Sequence, residues 1–503
     1  MKLDFRRNTK RNMAAAFANS GIKMLLPFLN RTLFLWLLGP AYLGLNGLFG
    51  SILGVLMLAE LGFGTAVVCS MYKPVADDDR ELLCAYLKFY RTVYRRVGTA
   101  IFAVGLALLP FLRNLVHGSV PADVDLHVLY VIHLVNTAAS YFLFAYRGSV
   151  IDAHHRNDVV NNIRSAVSIA QYATVFLILL VTRNYYHYVL ATVVFTVAQN
   201  VLLVRASRRL FPDVEPRGEL PAELRRRVVA DVKSIFLHKV GGVVSHSSDN
   251  LVISSMLGLV AVAAYGNYYY VITAVSGLVA AIYSSTQGGF GNTIHTESRE
   301  RNFELFMKAD RLSMIVVVWC AAMIFALYEP FIGIWTKCDP TLARHALTPV
   351  LMVAYFLVNQ SRQPLLTFKA AAALWQQDRW KPIAGSVVNL GISIALVAVL
   401  PEEYKLDGVI FGTVFAYVAV QMPWESHVVF TQFFGRAESR GYWLSHLRFA
   451  LFAVALCIIT WAAAAAVPLP DFAGLAIKGL VAAAVSGGAV FAAFGKEILR
   501  LRR

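Results

Sequence analysis

Apolar residues fill the chain in successive stretches of about twenty, the length that a helix needs to cross a bilayer. Short segments rich in Gly, Pro, Arg and Asp separate these stretches and mark the loops. The alternation predicts about fourteen membrane-spanning helices and therefore an all-α polytopic membrane protein. The predicted spans lie near residues 13–38, 42–70, 86–112, 127–150, 161–182, 186–207, 235–257, 260–289, 309–335, 346–369, 382–400, 407–431, 446–467 and 473–495.

The composition indicates that lipid is the main solvent of the chain. Hydrophobic residues make up 58% and charged residues 15% of it, whereas a soluble domain has roughly 25% charged residues. The net charge of +16 does not indicate a nucleic acid partner, because the basic residues are not gathered into one patch interleaved with aromatics. Most of them lie in or beside alternate loops, so the positive-inside rule places both termini in the cytoplasm.

The sequence contains no motif of an enzyme or of a resident cofactor. The five cysteines are too scattered for a zinc motif, and there is no nucleotide-binding loop or nucleophile–base pair. A membrane polysaccharide polymerase or ligase is the alternative from another class. Such an enzyme usually carries a large outer loop, however, and the predicted outer loops are short. We therefore expect a transporter without catalytic residues, metal or cofactor.

The longest inner loop divides the predicted spans into two groups. Residues 1–210 form a predicted N-terminal six-helix half, 211–232 a basic cytoplasmic linker, 233–435 a C-terminal six-helix half, and 436–503 a terminal helix pair with a basic tail. Asn30-Arg31 precedes Leu38-Gly39 by the same interval as Asp249-Asn250 precedes Leu257-Gly258. Related halves are typical of secondary transporters, whose substrate binds between the repeats near mid-membrane. We therefore expect a central cavity.

Charged and amide side chains inside the spans are the candidate binding residues. A charge at bilayer depth costs roughly 2.5–3.5 kcal/mol unless it faces protein or water. Lys23 and Asn30 share a face of the first helix, with Arg31 at its edge. The predicted substrate-binding residues are Lys23, Asn30, Arg31, Lys239, His246, Asn250 and Arg362. An alternative is that they are structural, for example with Arg31 and Asp249 forming an ion pair.

Acidic residues in the spans and basic residues on the third helix suit other roles. Glu60, Asp249 and Glu425 are candidates for gating or for coupling to a proton or sodium gradient. Lys88, Arg91 and Arg95 share a face of the third helix and are candidates for collecting an anionic headgroup at the cytoplasmic mouth. The positive-inside bias explains this basic face equally well.

Several short motifs carry a family resemblance. They are Leu38-Gly39-Pro40-Ala41-Tyr42-Leu43-Gly44-Leu45-Asn46-Gly47-Leu48, Ala59-Glu60-Leu61-Gly62-Phe63-Gly64, Tyr72-Lys73-Pro74-Val75-Ala76, Ser248-Asp249-Asn250, Gly258-Leu259-Val260-Ala261-Val262, Asp378-Arg379-Trp380-Lys381-Pro382 and Asn389-Leu390. Together they resemble the bacterial polysaccharide-unit flippases of the Wzx type. These belong to the multidrug, oligosaccharidyl-lipid and polysaccharide exporter superfamily, abbreviated MOP.

This resemblance implies a function and a location. Such flippases move oligosaccharide repeat units linked to undecaprenyl pyrophosphate from the inner to the outer leaflet of the bacterial plasma membrane, for surface polysaccharide biosynthesis. The implied partners are the bilayer, the lipid-linked oligosaccharide and other polysaccharide assembly proteins. A peptidoglycan lipid II-type flippase and a drug or cation antiporter of the same superfamily remain alternatives.

Overall fold

The computed structural model describes residues 25–60, 63–143, 145–342, 346–372, 374 and 376–500. Within these ranges the chain is helical and contains no strand. The helices are α1 (Leu25–Leu37), α2 (Pro40–Leu56), α3 (Phe63–Ala76), α4 (Arg80–Ala107), α5 (Leu126–Phe142), α6 (Gly148–Ala153), α7 (Asn157–Thr182), α8 (Tyr185–Leu210), α9 (Ala222–Met256), α10 (Leu259–Thr296), α11 (Arg299–Trp335), α12 (Leu347–Ser361), α13 (Gln363–Ala371), α14 (Lys381–Val399), α15 (Lys405–Ala416), α16 (Met422–Val429), α17 (Arg436–Ala465) and α18 (Phe472–Arg500).

Eight helical segments of the described ranges are long and apolar enough to cross a membrane. A ninth results if α4 and the following turn, Leu109–Leu115, count as one span bent by 61°. The helices α1, α2 and α5 are apolar but shorter. The predicted all-helical, multi-span class is confirmed, while the number of fourteen spans stays a prediction.

Three predicted spans contain breaks in their α-helical hydrogen bonding. The second consists of α2, a 3-10 turn at Met57–Glu60 and α3. The tenth divides at Arg362 into α12 and α13, where Pro364 lacks the N–H that a continuous helix needs. The twelfth contains two π-helical segments, Tyr417–Gln421 and Phe430–Phe434, a rare conformation that is frequent at functional sites. All three breaks carry or adjoin predicted functional residues.

Polar N-cap residues begin several helices. Their side chains accept hydrogen bonds from N–H groups of the first turn, with Asp79 at α4, Asp125 at α5, Asn184 at α8 and Ser298 at α11. Asp125 lies in a loop outside the predicted spans and accepts two such bonds. These bonds stabilise the carboxylate and lower the pKa of Asp125.

The chain separates into two compact units, the first ending at Leu259 and the second beginning at Val260. In the first unit α9 packs against α2 and α3. Asn250 donates a hydrogen bond of 2.8 Å to Ser51 across this contact. A Cβ added at Gly44 would lie 2.0 Å from the Leu259 carbonyl oxygen, so only glycine fits there.

This division by contacts differs from the boundary expected at residues 211–232. The helix α9 follows that linker in sequence, yet its packing surface meets α2 and α3 and assigns it to the first unit. The charge and proline content of the linker predicts that it is exposed to solvent. It does not predict which helices the following helix packs against. The pairing of two six-helix halves stays a prediction.

In the second unit, α11 packs against α12, α17 and α18. A cluster of aromatic side chains forms the core near one end of α11, and it contains Phe306, Phe368, Phe430, Phe434 and Tyr442. The opposite face of α17 exposes large apolar side chains such as Leu451 and Ile458. One face of α17, the first helix of the terminal pair, therefore packs against α11, and the opposite face is suited to contact with lipid.

Candidate functional site

The first unit contains a polar cavity of about 670 Å³. Helices α3 to α8 form its wall. The polar side chains of its lining are Tyr72, Tyr90, Tyr94, Ser140, Ser149, Asp152, Asn157, Asn161, Arg164, Gln199 and Asn200. The volume lies within the roughly 300–1,000 Å³ typical of pockets for small ligands.

The cavity lies at the end of the unit that the sequence predicts to be cytoplasmic. Tyr72 is near the end of α3, and Asp152 is in the predicted inner loop after the fourth span. Asn157 begins α7, and Gln199 belongs to the last part of α8 before the next inner loop. The ends of four predicted spans therefore surround the cavity.

Neutral hydrogen-bonding groups outnumber charges in this cavity, which we call the amide cavity. Among the described residues, its lining contains one acid, Asp152, and one base, Arg164. Burial raises the pKa of the Asp152 carboxyl, and the nearby Arg164 guanidinium opposes this rise. The buried Asn200 amide is fixed by a hydrogen bond of 3.0 Å to the Thr196 carbonyl oxygen. The chemistry of the lining suits a polar ligand with many hydroxyl groups and little charge.

Glu60, a predicted coupling residue, lies beside the amide cavity. The hydroxyl groups of Tyr94 and Tyr141 both donate hydrogen bonds to its carboxylate. Tyr94 also lines the cavity, and its ring contacts that of Tyr90 with 4.5 Å between centroids. The break between α2 and α3 therefore places an acid one side chain away from the cavity.

The predicted residues of the first helix have different surroundings. Lys23 lies outside the described residues. Asn30 donates a hydrogen bond of 2.9 Å to the Tyr188 hydroxyl within the first unit. Arg31 is half-buried and is engaged with neighbouring groups. The role of these residues in substrate binding stays a prediction.

The seventh predicted span contributes Asp249 and Asn250 as described side chains. Both are buried, at 3% and 7% exposure. The Asn250 amide bonds to Ser51, and Asp249 is engaged with neighbouring groups. Lys239 and His246 lie outside the described side chains. Asn250 thus joins α9 to α2, which is the interhelical role considered as an alternative from the sequence.

Arg362 and Glu425, two predicted functional residues, form a buried ion pair in the second unit. The Nε and Nη2 atoms of Arg362 donate to the two carboxylate oxygens of Glu425 at 2.9 and 2.6 Å. Arg362 Nη2 also donates to Gln421 Oε1 at 2.8 Å, and its Cζ lies 4.5 Å from the Tyr417 ring centroid. Arg362 as a whole residue is 4% exposed, so its guanidinium is buried. The ion pair that the sequence analysis gave as an example of a structural role is Arg31 with Asp249, whereas the pair seen here joins Arg362 to Glu425. The role of Arg362 in substrate binding stays a prediction.

The network extends to charged residues that the sequence did not identify as functional. Lys381 Nζ donates to Glu425 Oε1 at 2.5 Å and lies 3.4 Å from Asp378 Oδ2. Asp378 also pairs with Lys369, and both are buried. Three cations and two carboxylates therefore form one buried cluster. The available signal in the sequence is the motif Asp378-Arg379-Trp380-Lys381-Pro382, which contains two of these residues, Asp378 and Lys381.

The basic face predicted on the third span lies on α4. Lys88 and Arg95 are exposed, and Arg91 is half-buried. None of the three lines the amide cavity. Their predicted role at the cytoplasmic mouth stays a prediction, and the arginine of α4 that does line a groove is Arg96.

Comparison with known proteins identifies the family. Residues 9–286 match the family described as polysaccharide biosynthesis protein. A search of curated proteins gave no significant match.

Among the described residues, no group of three or more His, Cys, Asp or Glu side chains could hold a metal ion.

Three solved structures with a similar fold are distant from this chain in sequence. The lipid II flippase MurJ in an inward closed conformation has a TM-score of 0.66 at 12% identity, covering 97% of this chain and 99% of that one. An inward-facing multidrug resistance MATE family transporter of the MOP superfamily has a TM-score of 0.59 at 14% identity, covering 80% and 94%. A MOP superfamily transporter from Pyrococcus furiosus has a TM-score of 0.51 at 13% identity, covering 84% and 95%.

These likenesses establish the fold as that of the multi-span MOP superfamily transporters. The family match covers more than half of the chain and agrees with the motifs along the first eight predicted spans. The protein therefore belongs to the polysaccharide biosynthesis protein family.

Proposed function

We propose that this protein is a flippase for oligosaccharide repeat units linked to undecaprenyl pyrophosphate. It moves them from the inner to the outer leaflet of the bacterial plasma membrane by alternating access, for surface polysaccharide biosynthesis. The observation that carries the proposal is the amide cavity inside the first unit. The family match and the fold support a transporter rather than an enzyme.

The chemistry of the amide cavity fits sugar rings. A hydroxyl group moved into hydrocarbon without a partner costs several kcal/mol, so a glycan needs replacement hydrogen bonds on its way across the membrane. Asn161, Gln199 and Ser149 offer donors and acceptors for hydroxyl groups. Tyr72 and Tyr90 offer aromatic faces for the apolar faces of sugar rings. The lipid tail stays in the bilayer throughout.

Coupling to a proton or sodium gradient is part of the proposal. Glu425 neutralises Arg362 and Lys381 within a buried cluster, so losing its charge would leave cations uncompensated. The described partners of Glu60 are instead the neutral hydroxyls of Tyr94 and Tyr141. We therefore assign the exchange of the coupling ion to Glu60, next to the cavity that holds the glycan.

The alternative functions predict different outcomes in cells. The alternative of a lipid II flippase rests on the likeness of this fold to MurJ, which covers 97% of this chain. Restoring growth to cells depleted of their lipid II flippase would establish that activity instead. A polymerase or ligase acts on repeat units that are already on the outer leaflet. Cells lacking such an enzyme would therefore accumulate lipid-linked repeat units on the outer leaflet.

The test is export by cells that carry a deletion of this gene and a plasmid-borne variant. We expect the deletion to abolish surface polysaccharide and to trap lipid-linked repeat units on the inner leaflet. Asn161→Leu should reduce export at least tenfold, because a cavity amide becomes apolar and leaves a sugar hydroxyl unpaired. Asn162→Leu on the same helix is the matched control, since Asn162 is exposed and outside the cavity. Equal export by both variants would refute the glycan site.

A further inference from the structure

A second recess in the first unit lies apart from the amide cavity. It is an open groove of about 570 Å³ between α4 and α9, with Phe63 of α3 at its side. Its remaining lining residues are Phe89, Val93, Arg96, Arg225, Arg226, Val229 and Ala230. We call it the arginine groove.

The arginine groove combines an apolar surface with three guanidinium groups. Phe89, Val93 and Arg96 share one face of α4 because they are spaced four and three residues apart. Arg225 and Arg226 belong to the first turns of α9. Among the described residues, no acidic side chain lines the groove, so the positive charge of its described walls is not balanced from within it.

The predicted topology places the arginine groove on the cytoplasmic side of the membrane. Arg225 and Arg226 belong to the predicted inner loop, whereas Arg96 belongs to the predicted third span. Because the groove brings all three to the same recess, we expect Arg96 to lie within reach of the lipid headgroups that the loop arginines meet. A guanidinium there, beside Phe and Val side chains, suits a ligand with both an anionic head and an apolar chain.

We propose that the arginine groove binds the isoprenoid diphosphate part of the lipid-linked substrate before its glycan enters the amide cavity. This inference rests on the proposed function. A phospholipid phosphodiester carries one negative charge, whereas a diphosphate carries at least two and offers more oxygens to planar guanidinium forks. Three arginines without an acid therefore match a diphosphate better than a common phospholipid.

Neighbouring arginines provide a control that separates a site from general positive charge. Arg227 belongs to the same run of three arginines but does not line the groove. Attraction of anionic lipid by net charge alone would treat these arginines as equivalent.

The experiment measures binding of farnesyl diphosphate to the purified full-length protein in detergent, by calorimetry at constant ionic strength. We expect Arg96→Gln and Arg226→Gln each to weaken binding about fivefold. This is the upper end of the contribution that a single exposed ion pair makes to affinity. Arg227→Gln should change it less than twofold. The thermal unfolding midpoint of each variant in detergent verifies that it is folded.

Each other outcome would overturn the proposal. Equal losses with Arg226→Gln and Arg227→Gln would mean that only net charge matters. Equal binding of inorganic pyrophosphate would remove the role of the apolar surface, and equal competition by phosphatidylglycerol in mixed micelles would assign the groove to ordinary lipid. No binding of farnesyl diphosphate would dismiss the site. Because no transport is measured, these failures are distinct from a failure of the export test on Asn161.

Discussion

Glu425 is the residue on which the buried charges of the second unit most depend. It is fully buried and accepts hydrogen bonds from both Arg362 and Lys381. Breaking a buried ion pair costs about 3–5 kcal/mol, because the remaining partner keeps its desolvation penalty without compensation. The cluster therefore stabilises the contact of α12, α14 and α16 in this conformation.

Glu425→Gln should lower the stability of the purified protein markedly. The substitution leaves Arg362, Lys369 and Lys381 with Asp378 as their only carboxylate in the cluster, at an expected cost of about 3 kcal/mol or more. The thermal unfolding midpoint in detergent, followed by tryptophan fluorescence, measures the change. Glu304→Gln is the control, because Glu304 is exposed and pairs only with Arg301 three residues earlier, a contact worth about 1 kcal/mol or less. A midpoint for Glu425→Gln as high as that of the control would contradict the prediction.

Glu60→Gln should abolish gradient-driven export without unfolding the protein. The amide keeps an oxygen that accepts from Tyr94 and Tyr141, but it cannot exchange a proton or neutralise sodium. Export of surface polysaccharide and the amount of protein in the membrane are the two measurements. Glu81→Gln, in the exposed first turn of α4, is the control. Normal export by Glu60→Gln would remove Glu60 from the coupling mechanism.

At the scale of the element, close approach between helices decides which positions tolerate a side chain. Gly44 and Gly50 both belong to α2. A Cβ at Gly44 would lie 2.0 Å from a backbone oxygen of Leu259, whereas a Cβ at Gly50 would meet nothing within 4 Å. A backbone oxygen cannot rotate away as a side chain can, so α2 itself would have to move.

The two alanine substitutions in α2 should therefore have effects of opposite sign. Gly50→Ala should stabilise the protein by up to about 1 kcal/mol, because alanine is the better helix former. Gly44→Ala should destabilise it by about 1–3 kcal/mol through overpacking. The unfolding midpoints of both variants in detergent give the comparison. The close contact would be disproved if Gly44→Ala proved as stable as Gly50→Ala.

At the scale of the whole molecule, the orientation in the membrane is the property that both function proposals require. A glycan loaded from the cytoplasm needs the amide cavity and the arginine groove on that side. Most basic residues lie in or beside the predicted inner loops, which fits this orientation. The native cysteines allow a direct test, because Cys69 and Cys338 are exposed while Cys84 and Cys457 are buried.

Cys338 should react with a membrane-impermeant maleimide in intact spheroplasts. It lies in a predicted outer loop after α11, and Cys69 is near the predicted cytoplasmic end of α3. Variants that keep one cysteine each should therefore label at Cys338 from outside and at Cys69 only after permeabilisation. Mass spectrometry of the labelled peptide gives the result. Labelling of Cys69 but not of Cys338 in intact spheroplasts would show that the orientation in the membrane is the opposite of the predicted one.

The sequence by itself determined the helical membrane class, the approximate spans and the family motifs. These properties are local, because about twenty consecutive apolar residues are sufficient to predict a span. It also selected Glu60, Arg362 and Glu425, because a charge inside an apolar stretch stands out from its neighbours.

Only the tertiary structure decided which groups these charges meet. Arg362 and Glu425 are 63 residues apart, and Lys369 gave no signal because it falls at the end of a predicted span. The amide cavity draws its lining from six helices, and none of its amides is distinctive within its own helix. Partners and cavities arise from packing between segments distant in sequence, so periodicity along one helix identifies a polar face but not what that face meets.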